Sequence, residues 1–267
     1  MKPIRPGPVV TLTTDFGLAD HYVGTVKGVL VTRCPGVRII DISHEIPPFS
    51  IYSGAYTIDQ AAPYFPAGTI HVIVIDPGVG TARKPLVLEA LHQYFIAPDN
   101  GVLTMIIGRD PKAKAYEIET RDMWLSPPSS TFHGRDIFAP VAAALASGAT
   151  KLRKIGRRLT KIELVPDLRP RQINAGEWEG KLLSIDRFGN AITNFSITGF
   201  PMLASSRFSI HVGRHRIATF KSTFGDAPDG VCFAYAGSSG YIELAVKQQS
   251  AAALLNASAG DRITLQL

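Results

Sequence analysis

Cysteine is almost missing from this chain: its 267 residues hold two, Cys34 and Cys232, far apart and in apolar company. That rules out a disulfide framework and a cysteine-based metal site, and it fits a reducing compartment, so a cytoplasmic protein is expected. No apolar run approaches the length of a membrane span, so no membrane association is expected. The opening MKPIRPGPVV is not followed by the long apolar core of a signal peptide, so none is expected. Metal-ligand spacing is also lacking among the seven histidines, and His44-Glu45 continues as HEIPP rather than the HExxH of a zinc hydrolase. There is no internal repeat and no low-complexity tract. A net charge of +6 could suggest nucleic acid. Much of the excess, however, sits in KLRKIGRRLTKIELVPDLRPRQ (Lys151 to Gln172), where no aromatic residue is interleaved to stack bases. A solvated basic connector is the reading, with no nucleic-acid partner.

Against these absences stand four apolar runs that each close on an aspartate: VVTLTT on Asp15, VRII on Asp41, IHVIVI on Asp76 and YFIAP on Asp99. Val/Ile runs of this kind, bounded by Gly and Pro, predict strands buried on both faces of a parallel sheet. In such sheets ligands bind outside the carboxyl ends of the strands, so four carboxylates delivered there point to a site. Asp also opens turns and caps helices, which is the plain structural reading for any one of them. Helical spacing in DHYVGTVKGVLVTRCPG, SIYSGAYTIDQAAPYF and DIFAPVAAALASG alternates with the strands and predicts crossover units. From about Gly176 the rhythm changes to short β runs (KLLSI, AITNF, FSIHV, RIATF, VCFAYA, YIELAV, RITLQL) with one Ala-rich helical segment, Ser250 to Asn256. The fold class predicted is therefore α/β: a mostly parallel amino-terminal domain, residues 1–160, and a smaller all-β antiparallel barrel, residues 176–267. The basic linker covers 161–175.

Chemistry concentrates in a few segments. DPGVGTAR leaves the strongest strand; Pro77, Gly78 and Gly80 force a tight turn that brings Arg83 back toward Asp76. It is neither a dinucleotide fingerprint nor a phosphate loop, since the third glycine and the GK[ST] are missing. TFHGRDIFAP places His133 just before a helix that Asp136 is expected to cap. DRFGNAITN offers a carboxylate (Asp186), a stacking face (Phe188) and an amide edge (Asn190), a set that suits a base but equally suits a hairpin turn. AGSSGYIEL adds Ser238, Ser239 and Glu243, an acid within an apolar strand. DFG at Asp15 and HGRD at His133 only superficially resemble kinase motifs, whose order is reversed and whose phosphate loop is absent.

Taken together, TTDFG, DISHEIPPF, DPGVGTAR, APDNG, FHGRDIFAP and DRFGN, in this order, resemble the S-adenosyl-L-methionine hydroxide adenosyltransferases, relatives of the fluorinating and chlorinating enzymes. The resemblance implies an α/β domain followed by a β-barrel, a homotrimer with sites between subunits, and hydrolysis of S-adenosyl-L-methionine to adenosine and L-methionine by attack of water or hydroxide at ribose C5′. It implies a catalytic set of Asp76, Arg83 and His133. On chemical grounds Asp76 and His133 can hold one water between them while Arg83 keeps the carboxylate ionised, and His133 acting with Asp76 is expected to take the proton. It also implies substrate contacts from Asp15 to the ribose diol, Phe49 beside the sugar, Asp186 to the methionine ammonium, Asn190 to adenine, Phe188 near the ring and Ser238 at the methionine end. Asp20 and Glu243 are further candidates. No metal or other cofactor is expected, because an already cationic sulfonium gains little from a Lewis acid. In the halogenating relatives a Tyr replaces the Asp, Tyr-Ser replaces His-Gly, and an Arg follows the serine where this chain has Ser239. Two alternatives stand beside this reading: a halogenating enzyme, whose Tyr and Ser are absent here, and a non-catalytic adenosine or S-adenosyl-L-methionine binding protein, which shares every binding residue and is opposed only by the intact Asp76, Arg83 and His133.

Overall fold

The computed structural model describes residues 7–204 and 207–267. They divide into two compact units, one reaching to Val165 and the other beginning at Pro166.

In the first unit the apolar runs become strands because both their faces are covered. Val9–Thr14 (β1) feeds helix Tyr22–Arg33 (α1), then Arg38–Ser43 (β2), helix Ile51–Ala61 (α2) and Ile70–Val74 (β3). Pro85–Ala90 (β4), Gln93–Pro98 (β5), helix Thr104–Arg109 (α3), Lys114–Glu117 (β6), helix Ala139–Ala146 (α4) and Arg158–Leu159 (β7) complete it. The sheet order is β2-β1-β3-β5-β4-β6-β7. The first four strands are mutually parallel, and β4, β6 and β7 add on antiparallel. Alternation along β3 sends Val72 and Val74 to the layer with Val26 and Leu30 of α1 and Val141 of α4. Ile73 and Ile75 go to the opposite layer with Ile58 of α2 and Ile106 of α3. Each fully buried aliphatic side chain of this kind contributes ~1.5–3 kcal/mol. Ser50 caps α2, its hydroxyl accepting from the backbone N–H of Ser53.

Two features depart from the sequence expectation. Strand β2 is an edge strand with Arg38, Ile40 and Asp41 exposed, and it runs on to Ser43, so Asp41 lies within it rather than at its end. The helix expected from Asp136 begins instead with a π-helical turn, Gly134–Phe138. Asp136 is no cap: its carboxylate takes Arg135 and the backbone N–H of Ser129.

The second unit is an antiparallel sheet in the order β12-β11-β15-β9-β10-β14-β13, with β8 pairing β9. Its strands are Arg171–Asn174 (β8), Glu177–Ile185 (β9), Ala191–Ser196 (β10), Ser209–Val212 (β11), His215–Ile217 (β12), Cys232–Ala236 (β13), Tyr241–Val246 (β14) and Arg262–Gln266 (β15). Past β12 the backbone of Thr219 and Lys221 bonds to Ala234 of β13, which nearly closes the barrel. Leu182, Phe195, Ile210, Leu244 and Leu265 fill it. The Ala-rich segment forms helix Ala251–Leu255 (α5), capped by Ser250 and ended by Asn256 in the left-handed region at φ 49°.

Residues 161–175 are not a free connector. Glu163 N donates to Asp99, Val165 N donates to Thr104, and Arg171–Asn174 is itself a strand.

The barrel needs Gly180 in β9. A Cβ there would sit 2.5 Å from Asn194 Oδ1 and 2.6 Å from Phe195 Cζ. Asn194 has no room to yield, because its amide also holds Lys181 N and the Asp167 carbonyl. Gly180→Ala is expected to lose about 2–3 kcal/mol in urea unfolding; an unchanged midpoint would contradict this packing.

Candidate active site

Strand order places the site. The chain leaves β1 through α1 to β2 on one side, then returns to β3 on the other side of β1. Between the carboxyl ends of β1 and β3 lies the switch point where α/β sheets open a crevice. Asp15 follows β1 and Asp76 stands two residues past β3. A cavity of 410 Å³ opens there, lined among others by Asp15, Phe16, Tyr22, Phe49, Asp76, Phe132, His133 and Gly134.

The turn after Asp76 returns Arg83 to it in a two-pronged pair. Nε donates to Asp76 Oδ1 at 2.8 Å and Nη2 donates to Oδ2. Both side chains are buried, 8% and 6% exposed. Gly80 makes the turn possible: it holds φ +78°, and a Cβ would meet the Ser130 carbonyl at 2.5 Å. Arg83 also lies over the Phe138 ring, 5.6 Å from its centroid. The remaining hydrogen of Nη2 points to His133 Nδ1 at 2.7 Å. A guanidinium only donates, so Nδ1 is the acceptor and the neutral ring carries its proton on Nε2. Burial first, and the Arg83 charge second, push the His133 pKa below its usual value, so the ring is neutral at neutral pH.

Asp15 accepts the backbone N–H of Phe49 at 2.9 Å. Its pKa is raised, chiefly by burial, with the Asp76 charge adding to the effect. Phe49 is 69% exposed and held at φ 66°, a conformation costly for a bulky residue and characteristic of functional sites. Phe16, Tyr22 and Phe132 form an aromatic wall, with ring centroids 5.2–5.8 Å apart. None of the three was singled out from sequence, although Phe16 lies within TTDFG and Phe132 adjoins His133.

The other sequence candidates of this unit fall elsewhere. Asp20 is exposed and does not line the cavity. Asp99 holds the backbone of Glu163, and Asp41 pairs with Lys27 and His44.

In the second unit a separate cavity of 820 Å³ is lined by Asp186, Phe188, Asn190, Phe224 and the segment Val246 to Ser250. Asp186 organises its own loop: Oδ1 accepts the N–H groups of Phe188 and Asn190, and Oδ2 accepts the Asn190 amide. The Phe188 ring, 79% exposed, is the part of this loop turned outward, whereas Asn190 lines the cavity while only 6% exposed. Ser238 is exposed at the β13–β14 turn. Glu243 lies beneath that turn, bonded by Tyr235 and Ser239, and burial raises its pKa. Neither residue lines the cavity. Phe224, Lys247 and Gln248 do, without a sequence signal that marks them. Among the described residues no group of three His, Cys, Asp or Glu side chains stands close enough to hold a metal ion.

A mixed α/β sheet with a carboxylate, guanidinium and imidazole at its switch point, followed by an antiparallel barrel, defines the two-unit architecture of this chain. The chain belongs to the SAM hydroxide adenosyltransferase family. The family's N-terminal domain matches residues 10–156 and its C-terminal domain residues 180–264. A protein of Thermus thermophilus named (R)-S-adenosyl-L-methionine hydrolase is 38% identical, over 96% of this chain and 98% of its own. A fluorinase of Nocardia brasiliensis is more distant at 29%, over 97% of each. The crystal structure of an uncharacterized conserved protein from Thermotoga maritima superimposes with a TM-score of 0.85 at 37% identity, covering 97% of this chain and 100% of that one.

Proposed function

We propose that this protein hydrolyses S-adenosyl-L-methionine, in the (R) form that its relatives' name specifies, to adenosine and L-methionine. The observation that carries the reading is the buried Asp76–Arg83 pair with His133 on its outer edge, set in a cavity of aromatic walls. Two carboxylates and several aromatic faces suit a sulfonium cation.

The chemistry needs little. The oxygen of water attacks C5′, the C5′–S bond breaks, and its electron pair stays on the sulfur of methionine as the neutral thioether leaves. The remaining task is to desolvate one water, align it behind C5′ and draw off its proton. With Nδ1 committed to Arg83, the neutral His133 offers Nε2–H, a donor that holds the water oxygen. The proton then passes to the Asp76 carboxylate, whose oxygens retain lone pairs beside those given to Arg83. His133 thus positions and Asp76 accepts, a revision of the role sharing expected from sequence.

Asp15 is the ligand for the ribose diol and Phe49 its neighbour. Asp186, Phe188 and Asn190 serve the methionine and adenine ends, with Ser238. Glu243 supports the turn that carries Ser238. Since each unit holds part of this set, we place complete sites between subunits of a homotrimer; light scattering should give three times the 28.8 kDa of one chain. A cytoplasmic location is supported by the two free cysteines.

Purified protein incubated with S-adenosyl-L-methionine should release adenosine and methionine in equal amounts, and chloride should yield no 5′-chloro nucleoside. A chlorinated product, or no product, would defeat the reading. The acid limb of kcat/KM should lie below pH 6.5, where protonation of His133 sets Arg83 against a cation. A limb at or above that pH would contradict the assigned tautomer.

A further inference from the structure

Asp15 and Phe49 line one cavity from two loops, the first after β1 and the second after β2. Backbone bonds tie the loops together. Gly17 N donates to the His44 carbonyl at 2.8 Å and Ile46 N to the Thr14 carbonyl at 3.4 Å. A chain of side chains runs through the same junction. Thr14 Oγ1 lies 2.8 Å from His44 Nδ1, both residues being buried, and the Thr14 oxygen also accepts Phe16 N–H at 3.3 Å. His44 Nε2 stands 3.1 Å from Asp41 Oδ1 in a bent approach, and Lys27 Nζ lies 2.6 Å from Asp41 Oδ2.

The bond directions follow from the ends of this chain. The carboxylate on the Nε2 side keeps the ring proton there, so Nδ1 accepts from the Thr14 hydroxyl, whose oxygen in turn accepts from Phe16. Four elements contribute: Lys27 from α1, Asp41 from β2, His44 from the following loop and Thr14 from β1. The hydrogen-bonded stretch is the one that presents Asp15 and Phe16 to the cavity. Asp76, Arg83 and His133 take no part in it.

We propose that His44, oriented by Asp41 and acting through Thr14, is a positioning residue for the nucleoside end of the site. The proposal rests on the reading of that cavity as a nucleoside site and predicts a split: weaker binding with chemistry spared. The measurement is the Kd of adenosine by calorimetry, together with KM and kcat on S-adenosyl-L-methionine. Thr14→Val, which keeps the volume and deletes the hydroxyl, should raise Kd and KM about tenfold, leave kcat within about twofold, and be rescued by Thr14→Ser. Unchanged Kd, or equal falls in kcat and kcat/KM that serine does not restore, would overturn it. Should Thr14→Val fail to fold, Asp41→Asn on the exposed edge strand serves instead. It should raise Kd about threefold, and no change would equally overturn the proposal. Wild-type protein that binds adenosine but releases none from S-adenosyl-L-methionine would count against hydrolysis alone; the comparison of Kd values still decides the role of His44.

Discussion

Asp76→Asn is expected to lower turnover about 10³-fold, roughly 4 kcal/mol of barrier. The amide keeps the shape of the carboxylate but cannot accept a proton from water. It also leaves the buried Arg83 guanidinium without its counter-charge, and an uncompensated buried charge costs about 3–5 kcal/mol of stability. The two losses are separable: adenosine release reports the first and a urea midpoint the second. Alanine at Asp76, Arg83 or His133 would spare the fold if these were surface groups. Burial of the Asp76–Arg83 pair changes that expectation for its two members, while His133, half-buried and met by one bond from Arg83, remains the safer replacement. Turnover by Asp76→Asn within tenfold of wild type would remove Asp76 from the chemistry.

The second large effect is on stability against acid. His71 in β3 is fully buried, bonded through Nδ1 to Thr11 at 2.7 Å and stacked on Phe95 at 4.8 Å. Burial drives its pKa down to about 4 from the usual 6.5. The folded protein therefore refuses a proton that the unfolded chain binds. Stability from this residue is fully present above pH 6.5 and is lost as pH falls toward 4. The gap corresponds to roughly 3 kcal/mol. Between pH 7 and pH 4.5 wild-type protein should lose about 2 kcal/mol more than His71→Asn, with all other groups titrating alike in both. Parallel loss in the two proteins would show that His71 does not contribute to acid unfolding.

Legibility in the sequence followed burial. The runs at β1, β3 and β5 announced themselves because both faces are covered, and the short strands of the barrel because turn residues separate them. Strand β4 escaped notice because its hairpin to β5 turns on Leu91 and His92. Both adopt positive φ without the Asn-Gly signal, and Asp110 accepts the Leu91 N–H. The π-helical turn beside His133 depends on tertiary packing and has no local code. The proximity of Arg83 and Asp76 was readable from the Gly-rich turn, but the aromatic wall was not. Phe16, Tyr22 and Phe132 come from separate segments that only the fold brings together. Asp41, grouped with the other three carboxylates by its position after an apolar run, belongs to the His44 network instead.

Hydrolysis in ¹⁸O-labelled water is the most direct measurement. One labelled oxygen should appear in adenosine, at the 5′-hydroxyl, and none in methionine, because water attacks carbon C5′ while sulfur leaves with its electron pair. Unlabelled adenosine, or label in methionine, would contradict attack at C5′ by a water held between His133 and Asp76.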